Sequence, residues 1–134
     1  MANRWYSGGK EGILDESIRL KTGEIRWLLI ADDYKFNREH RFEKHLGESI
    51  NAVSRTLENK SFSNGVFDAD DSSMVVRQTE ACSAIVLIHD VGHSMLNRLI
   101  IYVDNPTDGL PKTMIAGRRV VVEHNNGTEK IFKI

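Results

Sequence analysis

Turn residues cut the second half of this chain into short apolar runs, and that spacing restricts it to a fold built from strands. The runs are Val66-Phe67-Asp68, Ser73-Met74-Val75-Val76, Ala84 to His89 and Leu99 to Val103. Between them stand Asp68-Ala69-Asp70-Asp71, Val91-Gly92-His93-Ser94 and Asp104-Asn105-Pro106. Asn64-Gly65 is a strong two-residue turn signal, and Asp108-Gly109 with Leu110-Pro111 marks a longer surface loop. The chain closes as a strand over 118–124, a turn at Asn125-Asn126-Gly127-Thr128 and a strand over 129–134, which reads as a terminal hairpin. Strands at this spacing predict an all-β fold, an antiparallel β-sandwich of jelly-roll type, with one or two short helices in the N-terminal half.

The first half is less regular. Residues 8–15 can hold a short helix with Ile13 and Leu14 on its apolar face, although three glycines weaken it. Ile25 to Ala31 reads as a strand with Ile25, Trp27 and Leu29 on one face and Leu28 and Ile30 on the other, buried on both sides. Residues 37–58 support two readings. Phe42, Leu46, Ile50, Val53 and Leu57 follow a helical period, whereas Gly47 interrupts it and residues 51–57 alternate as a strand does. Strand-period placement puts Trp27, Leu29, Val86, Ile88, Ile101, Val103, Val120, Val122 and Phe132 in the core.

Length fits one domain, residues 1–134, with 40% hydrophobic residues to fill a core. Lys+Arg 18 against Asp+Glu 19 gives no basic excess, so nothing argues for nucleic acid or an anionic membrane as partner. The single Cys82 excludes an intramolecular disulfide and sits in an apolar run, where a buried thiol is expected. The N-terminus has no signal-peptide core, and no apolar run approaches the ~20 residues of a membrane span.

The chemical motifs are weak. His89 and His93 stand four apart but on an extended strand would lie ~13 Å from each other, too far to share a zinc ion. Counted from Asp68, the loop through Asp70 and Asp71 lacks the glycine and the final acid of a calcium-binding helix-loop-helix. Gly8-Gly9-Lys10 lacks the Ser or Thr of a phosphate loop, and the sequons at Asn59 and Asn126 have no secretion signal beside them. His40 and His45 lie in the charged run Arg38, Glu39, Arg41, Glu43, Lys44, which reads as a solvated face. No catalytic, metal or cofactor residue is expected, and the chain reads as no enzyme. Trp5 and Tyr6 precede Gly8-Gly9, so residues 1–9 form a candidate N-terminal arm whose aromatics either fold back on the domain or anchor a neighbour.

The run Trp5 to Asp15 resembles the opening of a family of small tailed-bacteriophage virion proteins. So do Leu29 to Phe36, the Asn64-Gly65 turn with Val66 to Asp71, Ala84 to Gly92, Leu99 to Asp104, and the terminal Asn126 to Ile134. The likeness spans nearly the whole chain and includes no catalytic motif. It favours a helix over 38–46 and a strand over 52–58. Arg26, Arg38, His40, Arg41, Lys44, Arg118 and Arg119 stand where such proteins carry milder residues. The resemblance implies a β-sandwich on the virion, most simply a capsid decoration or cement protein. The implied partners are the major capsid protein or other virion proteins, with homo-oligomers. A tail-associated or receptor-binding module is the alternative, and a small α+β phage enzyme with one helix over 38–58 is a third. The candidate interface is Trp5, Tyr6, Arg38, Arg41 and Lys44.

Overall fold

A computed structural model describes residues 2–63, 66–70, 72–93, 95–104, 112–122 and 132–133. The fold is all-β and antiparallel, with two short helices in the N-terminal half. Strand β1 (Ala2–Trp5) leads into helix α1 (Ser7–Leu14), then β2 (Glu24–Ala31), a 3₁₀ helix (Glu43–Ser49) and β3 (Ile50–Val53). There follow β4 (Ser61–Ser63), β5 (Val66–Asp68), β6 (Ser72–Val75), β7 (Glu80–Asp90), β8 (Arg98–Asp104), β9 (Lys112–Met114), β10 (Arg119–Val122) and β11 (Phe132–Lys133).

The main sheet runs β1-β8-β7-β2-β3, with β9 also paired to β7. Its centre is buried on both faces, as the double alternation of β2 predicts. Ile25, Trp27 and Leu29 join one core with Leu87, Ile101 and Val103; Leu28 and Ile30 join a second with Val86 and Ile88. The first core also holds Phe67, Met74, Val76 and Val120, so the small sheets β10-β6 and β11-β5-β4 cover that face. The second is covered by Tyr6, Tyr34, Phe36 and Leu46. Each fully buried aliphatic or aromatic side chain contributes about 1.5–3 kcal/mol, so the two cores supply most of the stability. Seven of the expected core residues are buried; the side chains of Val122 and Phe132 lie outside the described set. Cys82 is buried as expected, and that burial raises its thiol pKa.

Two bulges break the alternation. Pairing skips Ser83 between Ile30↔Ala84 and Ala31↔Cys82, which turns Cys82 toward the first core. Pairing skips Ile100 between Leu87↔Ile101 and Ile88↔Leu99, so Ile100 and Ile101 enter the same core. Helix α1 seats against that second bulge.

Several expectations need correction. Residues 38–42 are not helical, and the helix that follows is a 3₁₀ helix broken at Gly47, whose φ is 59°. Nor do residues 38–58 form one helix. Leu46 belongs to one core and Leu57 to the other, and a single helix could not place them on opposite faces of the sheet. Strand β3 starts and ends earlier than 52–58, although Ser54 and Leu57 continue to donate backbone hydrogen bonds to Trp27 and Ile25. Among the described residues β10 and β11 do not pair as a terminal hairpin; β10 joins β6 and β11 joins β5. Residues 2–5 are no free arm, because β1 is an edge strand in register with β8. Gly8 and Gly9 are helical residues, not a joint. Strands β4 and β5 pair around Asn64-Gly65 with Ser63 opposite Val66. That turn, the loop over 105–111 and residues 123–131 lie outside the described residues.

Candidate interaction surface

The five candidate interface residues divide into two groups. Tyr6 is wholly buried: its N–H donates to the Ile100 carbonyl at 3.1 Å, and its ring packs 5.1 Å from Phe36. Its hydroxyl lies 2.9 Å from that of Tyr34, which lies 2.8 Å from His40 Nδ1. Burial, reinforced by Tyr34, pushes the Tyr6 pKa far above the ordinary phenolic value. Trp5 is half-buried against the first core, with the Lys10 ammonium 5.9 Å from its ring centre. These aromatics hold the fold together, and Tyr6 is not presented to a partner.

Arg41 and Lys44 do reach the surface. Lys44 Nζ and the Arg98 guanidinium each stand 5.9 Å from the Phe42 ring centre. Arg41 pairs with Glu11 Oε2 at 2.7 Å, which ties this segment to α1. Arg98 donates to the Gly8 carbonyl at 2.6 Å and to Ser17 Oγ at 3.2 Å. The backbone holds the group in place through a Phe42–Arg98 bridge and the bond from Leu99 N–H to the Arg41 carbonyl. His45 Nδ1 accepts from the N–H groups of both Arg41 and Phe42, fixing the start of the 3₁₀ helix. Arg38 is exposed, and its carbonyl accepts from Ser7 N–H at 2.9 Å.

Beside this basic group the β7–β8 loop presents Val91, Met95 and Leu96, which are 53%, 54% and 60% exposed. The two ends of the loop are joined through Asn97, which is buried. Its Oδ1 accepts from Val91 N–H at 2.7 Å, and its carbonyl accepts from Glu43 N–H at 2.9 Å. Exposed apolar side chains on a loop bonded to the segment that carries guanidinium and ammonium groups have the composition of a protein interface. Sequence reasoning found Arg41 and Lys44 but missed Phe42, Arg98 and the loop. Phe42 reads as core by its period, and Arg98 lies far along the chain from its partners.

No family model matches the chain, and no curated protein or solved structure matches it. The geometry therefore carries the functional reading, with the resemblance described above.

The remaining motifs fall elsewhere. His89 is a buried strand residue, and burial lowers its pKa. His93 is exposed and accepts from Met95 N–H at 3.1 Å. Asp70 accepts from Asn59 Nδ2, and Asp71 lies outside the described residues. Among the described residues no group of three or more His, Cys, Asp or Glu side chains could hold a metal ion. No described helix is long and apolar enough to cross a membrane.

Proposed function

We propose that this chain is a structural protein of a tailed-bacteriophage particle, a decoration or cement protein that stabilises the head through repeated contacts with the capsid lattice. The observation that carries the reading is the surface around Phe42. Lys44 and Arg98 stand over the ring, Arg41 beside it in the chain pairs with Glu11, and the β7–β8 loop, bonded to Glu43 through Asn97, exposes Val91, Met95 and Leu96. Such a surface gains affinity by burying apolar area, with arginine able to pair bidentately with carboxylates on the partner. Each contact is modest, and a symmetric lattice multiplies it through avidity. The resemblance across nearly the whole chain supports the phage assignment. A preformed antiparallel sheet buried on both faces supports a passive scaffold that binds without rearrangement.

The test is quantitative mass spectrometry of purified particles. A copy number comparable to the major capsid protein supports the decoration reading. A handful of copies moves the protein to the tail, and absence from the particle overturns the proposal.

A further inference from the structure

A second surface, sharing no residue with the first, is formed by β6, β10 and the chain leaving β3. Met74, Val76 and Val120 of this layer point into the core, so strand alternation turns Ser73, Val75, Arg77 and Arg119 outward. Val75 and Arg119 are directly opposite in register, and Val75 is 51% exposed. With Val53 and Arg55 these four line an open groove of about 470 Å³. Among the described residues no Asp or Glu lines it. Among the described residues none of the three guanidinium groups has a carboxylate partner, and Arg119 Nη1 only donates to Ser73 Oγ at 3.0 Å. A chain of net charge -1 thus gathers three guanidinium groups around one exposed valine, with no carboxylate partner among the described residues.

The backbone adds a second element. Val76 N–H bonds to the Arg118 carbonyl at 2.9 Å, so alternation in an antiparallel pair directs the N–H and C=O groups of Val75 and Ser73 away from β10, toward the groove. Ser54 N–H bonds to Trp27, which likewise directs the polar groups of Val53 away from β2. At one end the two edges are joined by Asn51. Its carbonyl and Oδ1 accept from Arg77 N–H at 3.2 and 2.9 Å, and its Nδ2 donates to the Gln78 carbonyl at 2.9 Å. Beyond that joint no strand pairing links β3 to β6.

We propose that this groove docks an extended segment of a partner protein that carries carboxylates flanking an apolar side chain. Backbone groups on the open edges take main-chain hydrogen bonds, Val75 meets the apolar residue, and Arg55, Arg77 and Arg119 take the carboxylates. A nucleic acid fits less well. Among the described residues no aromatic ring lines the groove for base stacking, and the adjoining groove past Arg55 and Ser73 is lined by Glu58 and Asp70, which repel a continuing phosphate backbone. The inference stands whether or not the chain rides on a phage particle.

The experiment is fluorescence anisotropy with the full-length protein and a labelled extended peptide alternating glutamate with valine. A lysine–valine peptide and an oligothymidylate are the comparisons. The glutamate peptide should bind and the lysine peptide should not. The triple variant Arg55→Glu, Arg77→Glu, Arg119→Glu should bind the glutamate peptide at least about tenfold more weakly with an unchanged circular dichroism spectrum. If the triple variant does not fold, the single variants Arg55→Gln and Arg119→Gln should each show a partial loss. No binding of the glutamate peptide, equal affinity in wild type and variants, or tighter binding of the oligothymidylate would overturn the proposal.

Discussion

A Cβ placed on Gly9 would stand 2.4 Å from the carbonyl oxygen of Ile100 and 2.7 Å from its Cα. Helix α1 therefore meets β8 backbone to backbone, at the bulge where β8 departs from β7. Two principles give opposite signs for Gly9→Ala. Helix propensity alone would stabilise the protein by about 1 kcal/mol. The contact requires the backbone of a central strand to move, at a cost of about 1–3 kcal/mol. We expect the contact to win and the thermal midpoint to fall by several degrees. A midpoint equal to or above wild type would show that α1 is loosely seated.

The Tyr6–Tyr34–His40 chain of hydrogen bonds should be unequal at its ends. Tyr6→Phe leaves Tyr34 with His40 as partner, for a loss of about 1 kcal/mol. Tyr34→Phe strands the hydroxyl of a wholly buried Tyr6 and should cost more, about 2–3 kcal/mol. Urea titration of both variants checks the order, and a Tyr6→Phe loss larger than that of Tyr34→Phe would contradict it.

Removal of residues 1–7 should destabilise the domain itself. The deletion takes away β1, the edge strand on β8, and the buried Tyr6 ring. Loss of a core aromatic alone costs about 3–5 kcal/mol, a large part of a margin of about 5–15 kcal/mol. Circular dichroism on the truncated protein should show a much lower midpoint or no cooperative transition. A midpoint equal to that of the full chain would restore the picture of a free arm.

Acid should weaken the fold. Burial, and then the charge of His45 stacked 5.2 Å away, lower the His40 pKa; burial also lowers that of His89. A folded-state pKa below the unfolded value of about 6.5 means that the unfolded chain binds more protons as pH falls. This contribution to stability is complete above about pH 6.5 and is lost as pH falls from there through the folded pKa. His40→Gln keeps an acceptor for the Tyr34 hydroxyl without a titrating group. Its stability should fall less between pH 7 and 5 than that of wild type. Parallel slopes would remove His40 from the account.

The fold was legible where period and burial agree. Trp27 and Leu28 alternate because β2 lies at the centre of a sheet covered on both faces, and that pattern is written in the four consecutive residues Trp27 to Ile30. Phe42 to Leu57 misled because Phe42 lies outside both cores, Leu46, Ile50 and Val53 pack with one and Leu57 with the other, which mimics a helical period without a helix. The terminal strands misled for a different reason. A turn between two strands shows that the chain reverses, not which strands pair, and β6 and β5 compete for β10 and β11 from more than forty residues away. In the candidate surface, Arg41 and Lys44 were visible as charges. Their association with Phe42 and Arg98 depends on the Phe42–Arg98 bridge, a long-range contact that no local pattern encodes.

The central claim is that the protein acts by docking the surface around Phe42 onto a particle. Its most direct measurement is cosedimentation with phage heads that lack the protein, comparing wild type with the double variant Lys44→Glu, Leu96→Asp. Lys44 and Leu96 are both exposed, so the variant should fold as wild type does. Wild type should bind to saturation at a fixed ratio to the major capsid protein, and the variant at least about tenfold more weakly. Wild type that stays in the supernatant, or a variant that binds as tightly as wild type, would contradict the account.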